Sequence, residues 1–324
     1  MNKSILAGTI VLASLFSGQQ QAQAQTLTPE NQLICLRHIM EQAQTDEEKN
    51  ATMLLIGQTG TLQAMMYAQN YLQDKSVKKS AAKAVASIAK AHPEYKEYVS
   101  LFNGKDLTGW KGLVENPIKR AKMSGSELAE AQKKADEIMR RDWTVEDGCL
   151  TYIGHGFENI CTEKNYKDFE MTCDWKLDPN GKEPDAGVYL RGTPQVQIWD
   201  IRRTNVGAQV GSGGLYNNQK NESKPSSVQD NKLGEWNTFY IKMVGDKVTV
   251  KLNGVVVVDN VTMENYWDRN LPIFPSEQIE MQAHGSKVFF RDIFIRELYK
   301  NNLTNKKLSH GNMQEFFYVS CLIS

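Results

Sequence analysis

Lys247-Val248-Thr249-Val250-Lys251-Leu252-Asn253-Gly254-Val255-Val256-Val257-Val258-Asp259 reads as a β-hairpin. Two runs rich in β-branched residues flank Asn253-Gly254. That dipeptide supplies the two positive-φ positions of a type I′ turn, whose twist matches that of paired strands. Working outward, short apolar runs bounded by turn residues predict further strands. They fall at Trp143–Ile153, Phe169–Leu177, Gly187–Arg191, Val196–Trp199, Trp236–Val244, Gln278–His284 and Val288–Glu297. No helices alternate with these strands, so the pattern predicts a mainly β chain, an antiparallel, lectin-like β-sandwich or jelly roll.

The region ahead of the strands has a different period. Across 28–96, Leu33, Leu36 and Met40 recur at helical spacing, and Thr45 to Glu48 forms a capping box. Gly57 and Gly60 are expected to end that second helix; a third covers Leu62–Leu72, and Ser76 caps a fourth. Two helical hairpins of this HEAT-like kind are fewer than the roughly three repeats a free solenoid needs, so they are expected to pack on the β-sandwich. A helical insertion is expected at 115–141, with Ser126 as its cap, covering one edge of the sandwich.

Lys3, the short apolar run Ile5–Phe16 and Ala22-Gln23-Ala24 read as a signal peptide, 1–24, cleaved near Ala24. The expected location is periplasmic or secreted, with no membrane span. Lys+Arg and Asp+Glu both number 38, a balance that argues against a nucleic-acid partner. Five cysteines leave at least one unpaired, and Cys149, Cys161 and Cys173 read as buried thiols. The Asn/Lys-rich tail, 299–324, carries no structural signal.

Side chains alternate faces along a strand, which groups the candidate functional residues. Tyr189 and Arg191 share one face of their strand. Gln197 and Trp199 share a face of the next, with Gln195 beside them and Asp200 at the strand end. Glu280, Gln282 and His284 point away from the core residues Ile279, Met281 and Ala283. Tyr216 follows the bend Gly211-Ser212-Gly213-Gly214 and rims the same region. An aromatic platform ringed by planar hydrogen-bonding groups suits a sugar. Singly, Gln195, Gln278 and Lys242 read as ordinary outer-face residues; His38 and His92 carry no functional pattern, and His155, in a Gly-His-Gly turn, reads as a turn residue with a loop proton donor as the lesser reading. No cofactor is expected. A divalent metal held by Asp185, Asp200, Glu280 or His284 is the lesser reading, because no spacing motif supports it.

Several of these stretches, in this order, resemble one family. Leu101-Phe102-Asn103-Gly104-Lys105-Asp106-Leu107-Thr108-Gly109-Trp110 is similar to the opening motif of the 3-keto-disaccharide hydrolase domain family. So are Asp185 to Gly192, Gln195 to Asp200, Gly234 to Asn237, and Gln282 to Gly285 with Phe290 to Leu298. The resemblance covers about 99–298 and implies a concanavalin A-like jelly roll. It implies cleavage of 3-keto-glycosides, with a sugar 3-oxidoreductase as functional partner. For that chemistry His284 is the expected base, Arg191 the enolate stabiliser and Asp200 or Glu280 the acid, while Trp199, Gln197, Tyr189, Gln282 and Tyr216 bind substrate. A ketone at carbon 3 acidifies the carbon-2 hydrogen, so elimination followed by hydration is the leading mechanism. Direct hydrolysis by Asp200 and Glu280 is its rival. A non-catalytic carbohydrate-binding module and a partner-binding assembly protein are the alternative functions.

Overall fold

The computed structural model describes residues 27–298; the expected signal peptide and tail lie outside them. Four helices come first: α1 Pro29–Gln42, α2 Asp46–Thr59, α3 Leu62–Gln69 and α4 Lys78–Ala91. Thr45 and Glu48 form the capping box of α2, and Gly60 ends that helix at φ 70°. Gly57 does not break α2. It lies inside the helix where α4 passes so close that a Cβ would stand 2.7 Å from that of Ala84. Ser76 does not cap α4 either; it bonds Asp74 in the preceding turn.

The strands are β1 Val99–Ser100, β2 Trp110–Gly112, β3 Trp143–Glu146, β4 Cys149–Tyr152, β5 Ile160–Thr162 and β6 Phe169–Leu177. They continue with β7 Asp185–Leu190, β8 Thr193–Trp199, β9 Asn237–Val244 and β10 Lys247–Leu252, then β11 Val255–Thr262, β12 Glu280–Met281 and β13 Val288–Glu297. Among the described residues they form two antiparallel sheets. One runs β11-β10-β9-β6-β13-β4-β3, with β1 also on β13; the other runs β2-β5-β12-β7-β8. The fold is the antiparallel lectin-like sandwich that the strand pattern predicts.

Three hairpins turn on the same device. Asn253-Gly254, Asp147-Gly148 and Arg191-Gly192 each place two successive residues at positive φ, as a two-residue type I′ turn requires. The first follows from the sequence. The second divides a segment that the apolar pattern reads as the single strand Trp143–Ile153. The third removes Arg191 from the strand on which parity places it.

The core lies between the sheets. Phe169, Met171, Cys173 and Trp175 of β6 face Val188 of β7 and Val196 and Ile198 of β8, all with at most 2% exposure. Cys35, Cys149, Cys161 and Cys173 are free thiols, the last three buried. Both edges of the five-stranded sheet are covered. At one, the insertion helix α6 Gly125–Asp142, which follows the short α5 Pro117–Arg120, lies beside β2; Gln132 donates to the Gly112 carbonyl, and Asp136 accepts from its N–H. Ser124, not Ser126, caps α6. At the other edge Gln197 and Gly213–Gly214 exchange backbone hydrogen bonds, so the glycine bend pairs with β8. Edges satisfied in this way do not recruit other chains.

The helices pack on the larger sheet. Their core, built on Leu33, Met53, Ile56 and Ile88, closes over Tyr98 and Phe294. Arg37 of α1 reaches through it to pair with Asp292 and stands 3.8 Å from Asp174. Asp174 is 1% exposed and also takes bonds from Thr238 and Arg291; its burial and the nearby Asp292 push its carboxyl upward in pKa. Removing one member of such a cluster leaves uncompensated buried charge. Arg37→Ala is therefore expected to cost about 3–5 kcal/mol, read as a lowered urea midpoint. Lys134→Ala, which breaks an exposed pair with Glu130, should leave the midpoint nearly unchanged. Equal midpoints for wild type and Arg37→Ala would show that the helices do not depend on this contact.

Candidate functional site

A cleft of about 390 Å³ opens on the face of the five-stranded sheet turned away from the sandwich core. Its floor is set by strand register. Asp185 stands opposite Trp199 and Gly187 opposite Gln197, while Tyr189 pairs with Glu280. Asp185, Tyr189, Gln195, Gln197 and Trp199 therefore project to one side, and Gln282 and His284 join them from the segment after β12. The Gln282 N–H donates to the Gly187 carbonyl, which keeps that segment beside β7. The approach at Gly187 is close: a Cβ would stand 3.0 Å from Gln282 Oε1 and 3.1 Å from Gln195 Cγ, so a larger residue would displace those side chains. The walls come from loops, with Arg203 and Val206 on one side and Tyr216, Tyr266 and Trp267 at the rim.

The floor is polar yet buried. Gln195, Gln197 and Trp199 are 5%, 1% and 6% exposed, so their polar groups have to satisfy one another. Gln195 donates to Gln197 Oε1, and Gln197 Nε2 donates to Asp185 Oδ1 at 2.7 Å. Burial pushes the Asp185 carboxyl up in pKa; His284, the Gln197 bond and Arg203, 3.7 Å from Asp185 Oδ2, pull it back. Three buried polar atoms at this cleft have no hydrogen-bond partner among the described residues: His284 Nδ1, Gln282 Oε1 and Arg203 Nη1. A donor or acceptor left unmet at a buried site costs roughly 1–3 kcal/mol, and a bound polar molecule recovers it. Aromatic rings supply the apolar surface. Trp199 meets Tyr216 edge-on at 5.2 Å, and Trp267 is fixed by a bond from its Nε1 to the Gly192 carbonyl.

The cleft gathers His284, Trp199, Gln197, Tyr189, Gln282 and Tyr216 from the sequence-derived set. It does not gather Arg191, Asp200 or Glu280. Arg191 sits at the first position of the β7–β8 turn with φ 51°, is 2% exposed, and pairs with Asp168 at 2.8 Å while donating to the Lys167 carbonyl. It anchors the hairpin. Asp200, just past β8, takes a two-pronged contact from Arg202 and lines a neighbouring cleft instead. Glu280 lies on β12, 2% exposed, beside Tyr189 and Cys161.

Gln195, an ordinary surface residue by its sequence pattern, belongs to the floor. Arg203, Tyr266 and Trp267 carry no signal in the sequence, because irregular loops bring them in. Among the described residues no group of three or more His, Cys, Asp or Glu side chains is arranged to hold a metal ion. Of the four candidate ligands, Asp185 and His284 share the cleft and Asp200 and Glu280 are engaged outside it.

Comparison with known proteins defines the class. The chain belongs to the 3-keto-alpha-glucoside-1,2-lyase-like domain family, which it matches over residues 97–296. It is 22% identical to a 3-keto-disaccharide hydrolase of Bacteroides thetaiotaomicron, over 62% of this chain and 78% of that protein. A solved structure from Parabacteroides distasonis ATCC 8503, assigned to the glycosyl hydrolases, is 24% identical with TM-score 0.46, over 64% of this chain and 96% of that one. The carbohydrate-binding module CBM66 from Bacillus subtilis is 9% identical with TM-score 0.35, covering 59% of this chain and 97% of the module. No helix among the described residues is long and apolar enough to cross a membrane.

Glu280 makes the electrostatics of this region measurable. Burial pushes its carboxyl up to about 8, against an ordinary value of 4.5, although Arg120 and a bond with Asn159 pull the other way. Between those values the folded state holds a proton that the unfolded state has released. Stability is therefore lost as pH rises from about 4.5 towards 8. Glu280→Gln should remove that dependence, leaving the variant more stable than wild type at pH 8 by a larger margin than at pH 5. Parallel stability profiles for the two proteins would show that Glu280 is ionised in the fold.

Proposed function

We propose that this protein cleaves 3-keto-glycosides in the Asp185–His284 cleft. The observation that carries the reading is the convergence there of an imidazole, a buried carboxyl and a guanidinium on an aromatic-walled floor. Family membership supports the substrate class, as does the name of the Bacteroides relative. The ketone at carbon 3 makes the carbon-2 hydrogen acidic. His284 takes that proton, and the electron pair delocalises onto the carbonyl oxygen. Arg203, nearer the cleft than Arg191, stabilises the developing oxyanion. The enolate then expels the glycosidic oxygen from carbon 1. Asp185 hands that oxygen a proton, because burial favours the protonated carboxyl. Water adds at carbon 1 of the resulting enone and a proton returns to carbon 2, so the net reaction is hydrolysis.

In this reading Trp199 and Tyr216 pack on the sugar ring while Gln197, Gln282 and Tyr189 bond its hydroxyls. The substrate's ketone must come from an oxidation, so a sugar 3-oxidoreductase acts upstream. With the leader expected at residues 1–24, the cleavage step belongs outside the cytoplasm in this reading.

Turnover in heavy water tests the mechanism. Deuterium is expected at carbon 2 of the keto-sugar product, above the exchange of free product without enzyme. His284→Ala and Asp185→Asn should each lower kcat by roughly 10²–10⁴-fold. Full retention of the original carbon-2 hydrogen would overturn elimination and favour direct attack at carbon 1.

A further inference from the structure

Beside the reaction cleft lies a second one of about 400 Å³, and Trp199 lines both. Trp175 and Leu233 give it apolar surface, and Asp230 contributes a carboxylate. Two buried polar atoms on its lining residues have no hydrogen-bond partner among the described residues, Trp175 Nε1 and Asp230 Oδ1. Trp175 is 2% exposed, on a central strand where a polar atom is normally paired. One of these atoms is a donor and the other an acceptor. A sugar hydroxyl, which both donates and accepts, answers the pair.

The Asp230 carboxylate is held in place. Its Oδ2 accepts from the Ser212 N–H at 3.0 Å, and Ser212 Oγ in turn accepts from the Trp199 N–H at 2.8 Å. That chain ties the second cleft to the tryptophan shared with the first. Asp200, which strand parity assigns to the reaction site, lines this cleft in its contact with Arg202.

We propose that this second cleft is a subsite for a neutral hexose ring and that it receives the leaving sugar of the glycoside cleaved next to it. The second half of this assignment rests on the function proposed above; the first half stands without it. Asp230 and Trp175 are binding residues in this scheme and take no part in proton transfer.

The test uses the full chain with its tryptophan indoles labelled for NMR, titrated with glucose. The resonance of Trp175 Nε1–H, identified by its loss in Trp175→Phe, should move on binding. Asp230→Asn, which preserves an acceptor for Ser212, should weaken that binding roughly ten-fold, and His284→Ala should leave it unchanged. A Trp175 resonance that stays still at saturating glucose overturns the subsite, whether or not keto-glycosides are cleaved. A kinetic arm addresses the leaving sugar. Asp230→Asn should raise KM for a 3-keto-disaccharide while sparing methyl 3-keto-glucoside, which lacks a second ring. Equal effects on the two substrates, or none on either, would overturn that role. If wild-type protein cleaves neither substrate, the proposed function fails and the glucose titration still decides the subsite.

Discussion

The five-stranded sheet is buried on both faces, and the site depends on that constraint. One face meets the larger sheet through Val188, Val196 and Ile198 and needs only apolar packing. The other is roofed by loops while carrying Asp185, Gln195 and Gln197. Polar groups removed from water have to find partners or the fold loses about 1–3 kcal/mol for each unmet atom. The Gln195–Gln197–Asp185 chain meets most of that demand. It leaves unmet three atoms that line the one cleft, on His284, Gln282 and Arg203. A set of oriented, desolvated polar atoms of this kind favours a polar ligand and strengthens its electrostatic contacts.

The rest of the molecule supports that arrangement. The insertion closes the β2 edge and the glycine bend closes the β8 edge, so the narrow sheet has no free strand along which to slip or pair. The N-terminal helices lie on the other sheet, locked by Arg37 into the acidic cluster of Asp174 and Asp292. Arg191 braces the β7–β8 turn from beneath through Asp168. Arg37 and Arg191, both buried and paired, hold the scaffold here.

Strand parity makes much of this site legible in the amino-acid sequence. Period-two alternation puts Gln197 and Trp199 on one face, and Gln282 and His284, just past β12, line the same cleft. Parity fails where the strands stop. Arg191 occupies a left-handed turn position, so alternation counted through β7 no longer applies to it. Asp200 lies one residue beyond β8. Glu280 does lie on a strand, between Tyr189 and Cys161, but it is buried outside the cleft. Gln195 escapes notice because alternation cannot tell a solvated face from one roofed by loops. Arg203 and Trp267 arrive through irregular segments whose paths no periodicity encodes.

The central claim is that the polar, loop-roofed face of the small sheet is where substrate is held. A crystal structure of His284→Ala soaked with a 3-keto-disaccharide addresses it directly. The account predicts the keto ring against Trp199, within hydrogen-bonding distance of Gln197, Gln282 and Arg203, with carbon 2 turned to the space left by the imidazole. A well-ordered sugar bound elsewhere, with this cleft empty, would contradict it.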